Sequence, residues 1–293
     1  MQITASLVKE LREKTGAGMM DCKKALTETD GDMAKAVDWL REKGIAKAAK
    51  KAGRIAAEGL SRVVAEGNKA ALVEINSETD FVAANAQFVA LLDGVVDAIL
   101  HSDAKTLDDV NALPMDNGTV ADAIVNATAT IGEKISLRRF ELVEKNDDEN
   151  FGLYMHNKGA ISALAVVKGG DEAVAKDMAM QVASMSPQYV SAEDMDEEFV
   201  AHEKAIIEEN IKNDESLANK PEKVLAGILN GRLSKNLKEY CLNDQVYFKD
   251  QNMTVSQFLK QNNASVVKFV RYAVGEGIEK RQENFAEEVA NAL

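Results

Sequence analysis

The chain has 293 residues and is acidic, with 35 Lys and Arg against 48 Asp and Glu, a net charge of −13 and a pI near 4.9. Its 46% hydrophobic and 28% charged residues are typical of a globular protein of about two domains. This charge argues against direct nucleic-acid binding, and no apolar run reaches the roughly 20 residues of a membrane span. Residues 1–54, by contrast, carry 12 basic and 8 acidic residues. This opposite charge indicates that residues 1–54 and the rest of the chain present surfaces to different partners.

The start of the chain and its cysteines indicate a cellular compartment. Residues 1–5 lack the basic segment and apolar stretch of a secretory signal. Cys22 and Cys241 stand alone, without CxxC spacing, as expected for free thiols in a reducing compartment. We therefore expect a cytoplasmic protein with no membrane partner.

Three helices are predicted at the N-terminus. Thr4 can cap the first helix and Asp32 the third, and Gly44 is expected to end the third. Three helices in so short a stretch are typical of a ubiquitin-associated-like module. The basic run over residues 45–55 predicts an exposed helical linker, so the first predicted domain comprises residues 1–54.

A pattern of strand, hairpin and helix occurs twice in the middle of the chain. Residues 60–76 predict a β-hairpin followed by a helix, and the pattern returns from Ile135 onwards. We therefore predict an α+β fold with a duplicated core of antiparallel sheets and helices. The first core subdomain is predicted over residues 55–140 and the second over residues 141–278.

A helical hairpin is predicted as an insertion in the second subdomain, over about residues 196–240. Its apolar stripes could close on each other or on another chain, which leaves a homodimer or a dimer of heterodimers open. A last strand is predicted over residues 264–274, and residues 279–293 predict a C-terminal helix.

The sequence lacks the patterns on which catalysis and metal binding usually rest. Neither GxxxxGK[ST] nor GxSxG occurs, and His202-Glu203 begins an HExxH pattern that fails because Ile206 stands at the second His position. His101, His156 and His202 are scattered along the chain and do not form a recognised metal-binding pattern. We therefore expect a protein that is not an enzyme and has no cofactor or metal.

Two motifs stand out. The run from Leu11 to Leu26, LREKTGAGMMDCKKAL, places Met19 and Met20 directly after a glycine loop. Because methionine adapts readily to the surface of a partner, a partner-binding position and a core position are about equally favoured here.

The second motif is EINSETDFV, over residues 74–82. Ser77 to Asp80 has the spacing of a capping box, and Phe81, seven residues before Phe88, would then be a core residue. Residue types alone favour this structural alternative over a binding role.

Both motifs resemble the signature segments of the elongation factor Ts family, the bacterial-type guanine nucleotide exchange factors for elongation factor Tu. The similarity extends along the whole chain and includes VGEGIEK at residues 274–280. One departure is Ala84, where family members often carry a basic residue or Asn. The resemblance implies binding to GDP-bound elongation factor Tu, disturbance of its Mg²⁺ and phosphate site, GDP release, and stabilisation of the nucleotide-free state until GTP binds.

The resemblance also implies roles for individual residues. It assigns Asp80 and Phe81 as a wedge between helices of the partner, with Thr79 and Val82 in support; we call residues 79–82 the wedge segment. The docking residues that it implies in the N-terminal module are Lys9, Arg12, Met19 and Met20. The competing class is a plain binding module that recruits some other folded protein.

Overall fold

The computed structural model describes residues 3–218 and 220–279. Within these ranges the chain forms two compact units, the first from residues 3–143, 155–162 and 272–279, and the second from residues 144–154 and 163–271. Helices and strands occur in both, which confirms the predicted α+β class. None of the helices in the described part is long and apolar enough to cross a membrane. The predicted C-terminal helix over residues 279–293 lies outside the described residues except for Glu279.

The N-terminal module begins the first unit and contains the three predicted helices. These are α1 (Ala5–Thr15), α2 (Met19–Glu28) and α3 (Met33–Ala49). Two predicted caps are confirmed: Thr4 Oγ1 accepts a hydrogen bond from Leu7 N at 3.3 Å, and Asp32 Oδ1 accepts one from Lys35 N at 3.1 Å. The buried residues of this small core are Val8, Leu11, Ala17, Cys22, Ala25, Leu26 and Ala36.

The rest of the first unit is built on a three-stranded sheet. Its elements are β1 (Glu58–Glu66), β2 (Lys69–Ser77), α4 (Asp80–Ala83), α5 (Ala86–Leu100), α6 (Leu107–Ala112), β3 (Pro114–Met115), β4 (Gly118–Thr119), α7 (Val120–Ile131) and β5 (Ser136–Glu144). The predicted hairpin is confirmed, since β1 and β2 pair antiparallel from Glu58↔Ser77 to Glu66↔Lys69. The strand order is β1-β2-β5. The expectation that the second copy begins at Ile135 is therefore wrong, because β5 completes the first sheet.

Alternation along β2 decides which side chains enter this core. Ala71, Val73 and Ile75 point to one face, as the two-residue period of a strand requires. They meet an apolar stripe of α5 whose members recur at helical spacing, namely Phe88, Leu92, Val95, Val96 and Ile99. Helix α5 is thereby fixed against the sheet directly after the wedge segment.

Helix α3 is longer than predicted, and the expectation that Gly44 ends it is wrong. Gly44 is buried against α7, where an added Cβ would lie 3.6 Å from Cβ of Ala129. Arg41 pairs with Asp122 of α7 at 2.7 Å. The first part of the predicted basic linker thus belongs to a helix that packs on α7.

The second unit repeats the design of the first. Its elements are β6 (Glu149–His156), β7 (Ile161–Gly169), α8 (Glu172–Met185), α9 (Glu197–Lys212), α10 (Glu222–Tyr240), β8 (Val246–Tyr247), β9 (Asp250–Thr254), α11 (Val255–Gln261) and β10 (Ala264–Ala273), which completes the sheet. The sheet order is β10-β7-β6, so the strand after the helices again lies beside the second strand of the hairpin.

The repeat extends further than the sequence analysis predicts. In each copy a short two-stranded ribbon, β3–β4 or β8–β9, precedes a helix that leads into the last strand. Thr119 and Thr254 both start these helices with a capping box, in which the side chain and backbone of the threonine bond reciprocally to the residue three positions later.

The predicted helical insertion is confirmed as α9 and α10. Its apolar stripes close on each other through Ile207, Ile211 and Leu217, against which Leu225, Ile228, Leu229 and Leu233 pack. At the base of the hairpin the ring of Phe199 lies 5.3 Å from that of Tyr189 and 5.1 Å from that of Tyr240. The aromatic contacts fix where the hairpin leaves its unit.

Candidate partner-binding site

The wedge segment forms a single helical turn, α4, between the end of β2 and the start of α5. Thr79 is its N-cap, and Thr79 Oγ1 accepts a hydrogen bond from Val82 N at 3.4 Å. The predicted capping box from Ser77 to Asp80 is wrong, because Ser77 Oγ instead donates to the Thr79 carbonyl at 3.0 Å. Asp80 is therefore the first residue of the turn and not its cap.

Phe81 is 84% exposed, whereas the neighbouring Val82 and Ala83 are buried. The alternative that Phe81 is a core residue is wrong. The ring of Phe81 is therefore accessible to another molecule. Asp80 is also exposed, as is Ala84, the position at which the chain departs from the family pattern.

Two carboxylates hold the start of the wedge segment by reciprocal contacts with the turn that follows α7. Glu133 accepts hydrogen bonds from Thr79 N at 2.9 Å and from Thr79 Oγ1 at 2.7 Å. In the opposite direction, Glu78 accepts one from Lys134 N at 2.6 Å and pairs with Arg54 at 3.2 Å. The chain before Phe81 is thus tied at two consecutive residues.

A buried carboxylate lies upstream in β2, on the face opposite the α5 core. Glu74 accepts four hydrogen bonds, from Arg139 Nε at 2.6 Å, Gly275 N at 2.9 Å, and Arg138 Nη1 and Asn76 Nδ2 at 3.0 Å. Burial alone would raise the pKa of Glu74, but these donors, first among them the Gly275 N–H, outweigh it and hold the pKa below its ordinary 4.5. Glu74 thereby fastens the Gly275–Gly277 turn to the sheet that carries the wedge segment.

The N-terminal module presents a second exposed surface. Met19 and Met20 open α2 and are 58% and 74% exposed, so the alternative that they fill the module's core is wrong. Lys9 and Arg12 are exposed on α1, one turn apart, while the adjacent Val8 and Leu11 are buried. Both groups lie in the first unit, as does the wedge segment.

The sequence analysis included Glu74 and Glu78 in the second motif without giving them a role, and it did not identify Glu133. For Glu74 a signal existed, since a charged residue inside the apolar run of β2 predicts a buried partner, and Arg138-Arg139 is a cationic pair in a nearby strand. For Glu133 none existed, because its contact with Thr79 joins residues 54 positions apart.

No cluster of three or more His, Cys, Asp or Glu that could hold a metal occurs among residues 3–218 and 220–279. Cys22 and Cys241 are both free and buried, and burial, with the nearby Asp244, raises the pKa of the Cys241 thiol to about 11. The raised pKa keeps the Cys241 thiol protonated near neutral pH, which makes it a poor nucleophile.

Comparison with known proteins gives a consistent result along the chain. A family model described as elongation factor TS matches residues 78–276, and one described as elongation factor Ts, mitochondrial, N-terminal matches residues 1–52. Elongation factor Ts of Lactiplantibacillus plantarum is 50% identical over 292 residues, which cover 100% of this chain and 99% of the relative. Elongation factor Ts of Acholeplasma laidlawii is 52% identical over 290 residues, covering 99% and 98%.

Proposed function

The chain belongs to the elongation factor Ts family, and on this premise we propose that it is a guanine nucleotide exchange factor for elongation factor Tu in translation elongation. It binds the GDP-bound partner in the cytoplasm, disturbs the partner's Mg²⁺ and phosphate site, and holds the nucleotide-free state until GTP binds. The exchange is non-covalent, so the protein catalyses no chemical reaction and needs no cofactor of its own.

The observation that carries this proposal is the exposure of Phe81 between two fixed parts of the chain: Glu78 and Thr79, which are hydrogen-bonded, and the buried Val82. Removing a phenylalanine side chain from water contributes about 1.5–3 kcal/mol. If Phe81 is buried only when the partner's helices separate around the nucleotide, its burial favours the nucleotide-free state. By reciprocity the nucleotide is then bound more weakly. Mg²⁺ demands near-ideal octahedral geometry, so a small displacement of its ligands suffices.

Docking is the second part of the proposal. Lys9, Arg12, Met19 and Met20 hold the nucleotide domain of elongation factor Tu, with the methionines supplying adaptable apolar contact and the cations setting its orientation. Because this docking surface is separate from Phe81, the protein can bind the GDP form of elongation factor Tu first. The wedge segment then acts on the partner that is already bound. The second sheet is proposed to contact another domain of the partner.

The direct test is release of a fluorescent GDP from elongation factor Tu at increasing concentrations of this protein. We expect release to accelerate and then to saturate. A complex that forms by calorimetry without any acceleration of release would instead identify a plain binding module.

A further inference from the structure

The single turn α4 is too short to keep its shape unaided. Within it, Ala83 N bonds to the Thr79 carbonyl at 3.3 Å and Ala84 N to the Asp80 carbonyl at 3.1 Å. A helix of so few residues is unstable in water by itself, because nucleation costs more than its few hydrogen bonds return. The direction in which Phe81 points therefore depends on what holds α4 from outside.

Glu133 is the group that holds the N-cap of α4, Thr79. Its carboxylate accepts hydrogen bonds from both the backbone N–H and the hydroxyl of Thr79. Because the hydroxyl has only one proton, donating it to Glu133 turns an oxygen lone pair toward Val82 N, which is the capping bond of α4. One carboxylate thus sets the position of the cap and the direction of its side chain.

Glu133 is itself held in place by the end of α7. Gly132 ends this helix with φ 96°, a conformation that favours glycine, and bonds back to the Thr128 carbonyl at 3.2 Å. Ile135 N donates to the buried Thr128 Oγ1 at 3.2 Å, so the turn carrying Glu133 is fixed on both sides. The contact from Lys134 N to Glu78 adds a second tie between this turn and the chain before Phe81.

The same helix contacts the N-terminal module. Its residues Ala129 and Val125 meet Gly44 of α3, and its first turn pairs Asp122 with Arg41. Asn126 Nδ2 also donates to the Thr15 carbonyl at 3.3 Å. Helix α7 therefore links the module that carries Met19 and Met20 to the residue that orients the wedge segment.

We propose that Glu133 is a positioning residue that couples docking to exchange: through α7, it fixes the direction of Phe81 relative to the docked N-terminal module. This inference rests on the proposed exchange function. When the carboxylate of Glu133 is removed, elongation factor Tu still docks, but Phe81 samples directions in which its ring does not separate the helices of elongation factor Tu. The maximal rate of GDP release then falls, and the concentration of factor that gives half of this rate changes little.

The test compares Glu133→Ala and Glu133→Gln in the full-length protein. Alanine removes both hydrogen bonds, whereas glutamine keeps one acceptor oxygen and should recover part of the rate. We expect Glu133→Ala to lower the maximal rate roughly three- to tenfold, as fits the loss of a charge-assisted hydrogen bond.

The matched control is Asp109→Ala, since Asp109 also accepts two backbone N–H bonds at a helix start, from Thr106 at 2.9 Å and Lys105 at 3.0 Å. It should leave the maximal rate unchanged.

A double variant separates positioning from general destabilisation. If Glu133 acts through Phe81, Glu133→Ala should slow release little further once Phe81 is already alanine. Three results would each overturn the positioning role. The first is that Glu133→Ala slows release equally with Phe81 or Ala at position 81, and the second is that Asp109→Ala slows release as much as Glu133→Ala does. The third is that Glu133→Ala raises only the half-saturating concentration. A Phe81→Ala protein that is slow while Glu133→Ala is normal overturns this inference only. A Phe81→Ala protein with the normal rate overturns the proposed wedge function and this inference with it.

Discussion

Phe81 and Phe88, seven positions apart in the sequence, lie in opposite environments: Phe81 is 84% exposed and Phe88 is completely buried. Two features separate them. Helix α4 ends at Ala83 and α5 begins at Ala86, so the two rings do not share one helical face. The cap at Thr79 and the buried Val82 turn the first ring outward.

The first prediction contrasts these two rings. Phe81→Ala should slow GDP release at saturating factor roughly three- to thirtyfold. It should shift the free energy of unfolding by no more than about 0.5 kcal/mol, because an exposed ring leaves no cavity. Phe88→Ala should instead cost about 3–5 kcal/mol of stability. Exchange rates at saturating factor and urea unfolding of both variants measure these effects. The wedge assignment would be wrong if Phe81→Ala were much less stable while its folded fraction still exchanged nucleotide at the normal rate.

The second prediction concerns Asp80, which is exposed and is not the cap of α4. Asp80→Ala should lower the maximal exchange rate with almost no loss of stability. Asp32→Ala is the matched control, because Asp32 does cap α3 and its loss should lower the melting temperature. Thermal melting and exchange kinetics suffice, and an Asp80→Ala protein with the stability loss of Asp32→Ala and the normal rate would contradict the assignment.

A third prediction tests docking. Changing both Met19 and Met20 to Ala should raise the half-saturating concentration roughly five- to thirtyfold, because exposed apolar contact is lost while alanine keeps the helix. The maximal rate should stay near that of the unaltered protein. Leu107→Ala offers a control, since Leu107 is another exposed apolar residue at a helix start, outside the proposed docking surface. Equal titration curves for the double variant and the unaltered protein would remove the methionines from the partner surface.

The regular elements were predictable because each buries one face. The hairpin at residues 60–76 and the helical insertion both have apolar residues at the spacing of their type, and both are confirmed. The ribbons β3–β4 and β8–β9 were missed because strands of two to five residues carry too few positions to show a period. The end of α3 was wrongly predicted at Gly44, since a glycine at a helix crossing has the same sequence signal as a glycine at a helix end.

The candidate site was predictable only as a set of positions. The motif over residues 74–82 pointed to the segment proposed here as the wedge, but residue types alone favoured a buried Phe81. Exposure is set by tertiary contacts, here those from Thr79 to Glu133 and from Glu78 to Lys134. Such contacts join segments more than fifty residues apart, and no local pattern encodes them.

A fourth prediction tests the packing of α3 on α7. An added Cβ at Gly44 would lie 3.6 Å from Ala129 and 4.0 Å from Val125, at ordinary contact distance. Gly44→Ala should therefore be tolerated and should stabilise by about 0.5–1 kcal/mol through higher helix propensity. Gly44→Leu should cost about 1–3 kcal/mol, because the larger side chain forces the helices apart. If urea unfolding finds both variants equally stable, the two helices do not meet at this residue.

The last prediction concerns Glu74 and acid. Its pKa lies below the ordinary 4.5 in the folded protein, so the unfolded chain takes up the proton first as the pH falls. The stabilisation from Glu74 is therefore complete above about pH 4.5 and is lost as the pH falls from there through the lower, folded-state pKa.

Glu74→Gln keeps the shape of the side chain but removes the charge that pairs with Arg138 and Arg139. At pH 7 we expect it to cost about 1.5–3 kcal/mol, the range for hydrogen bonds to charged groups. The difference from the unaltered protein should shrink below pH 4.5, because the unaltered protein then loses the same charge. Urea unfolding at a series of pH values from 3 to 7 measures this difference. A constant difference across the series would mean that Glu74 stabilises the fold by its shape and not by its ionisation.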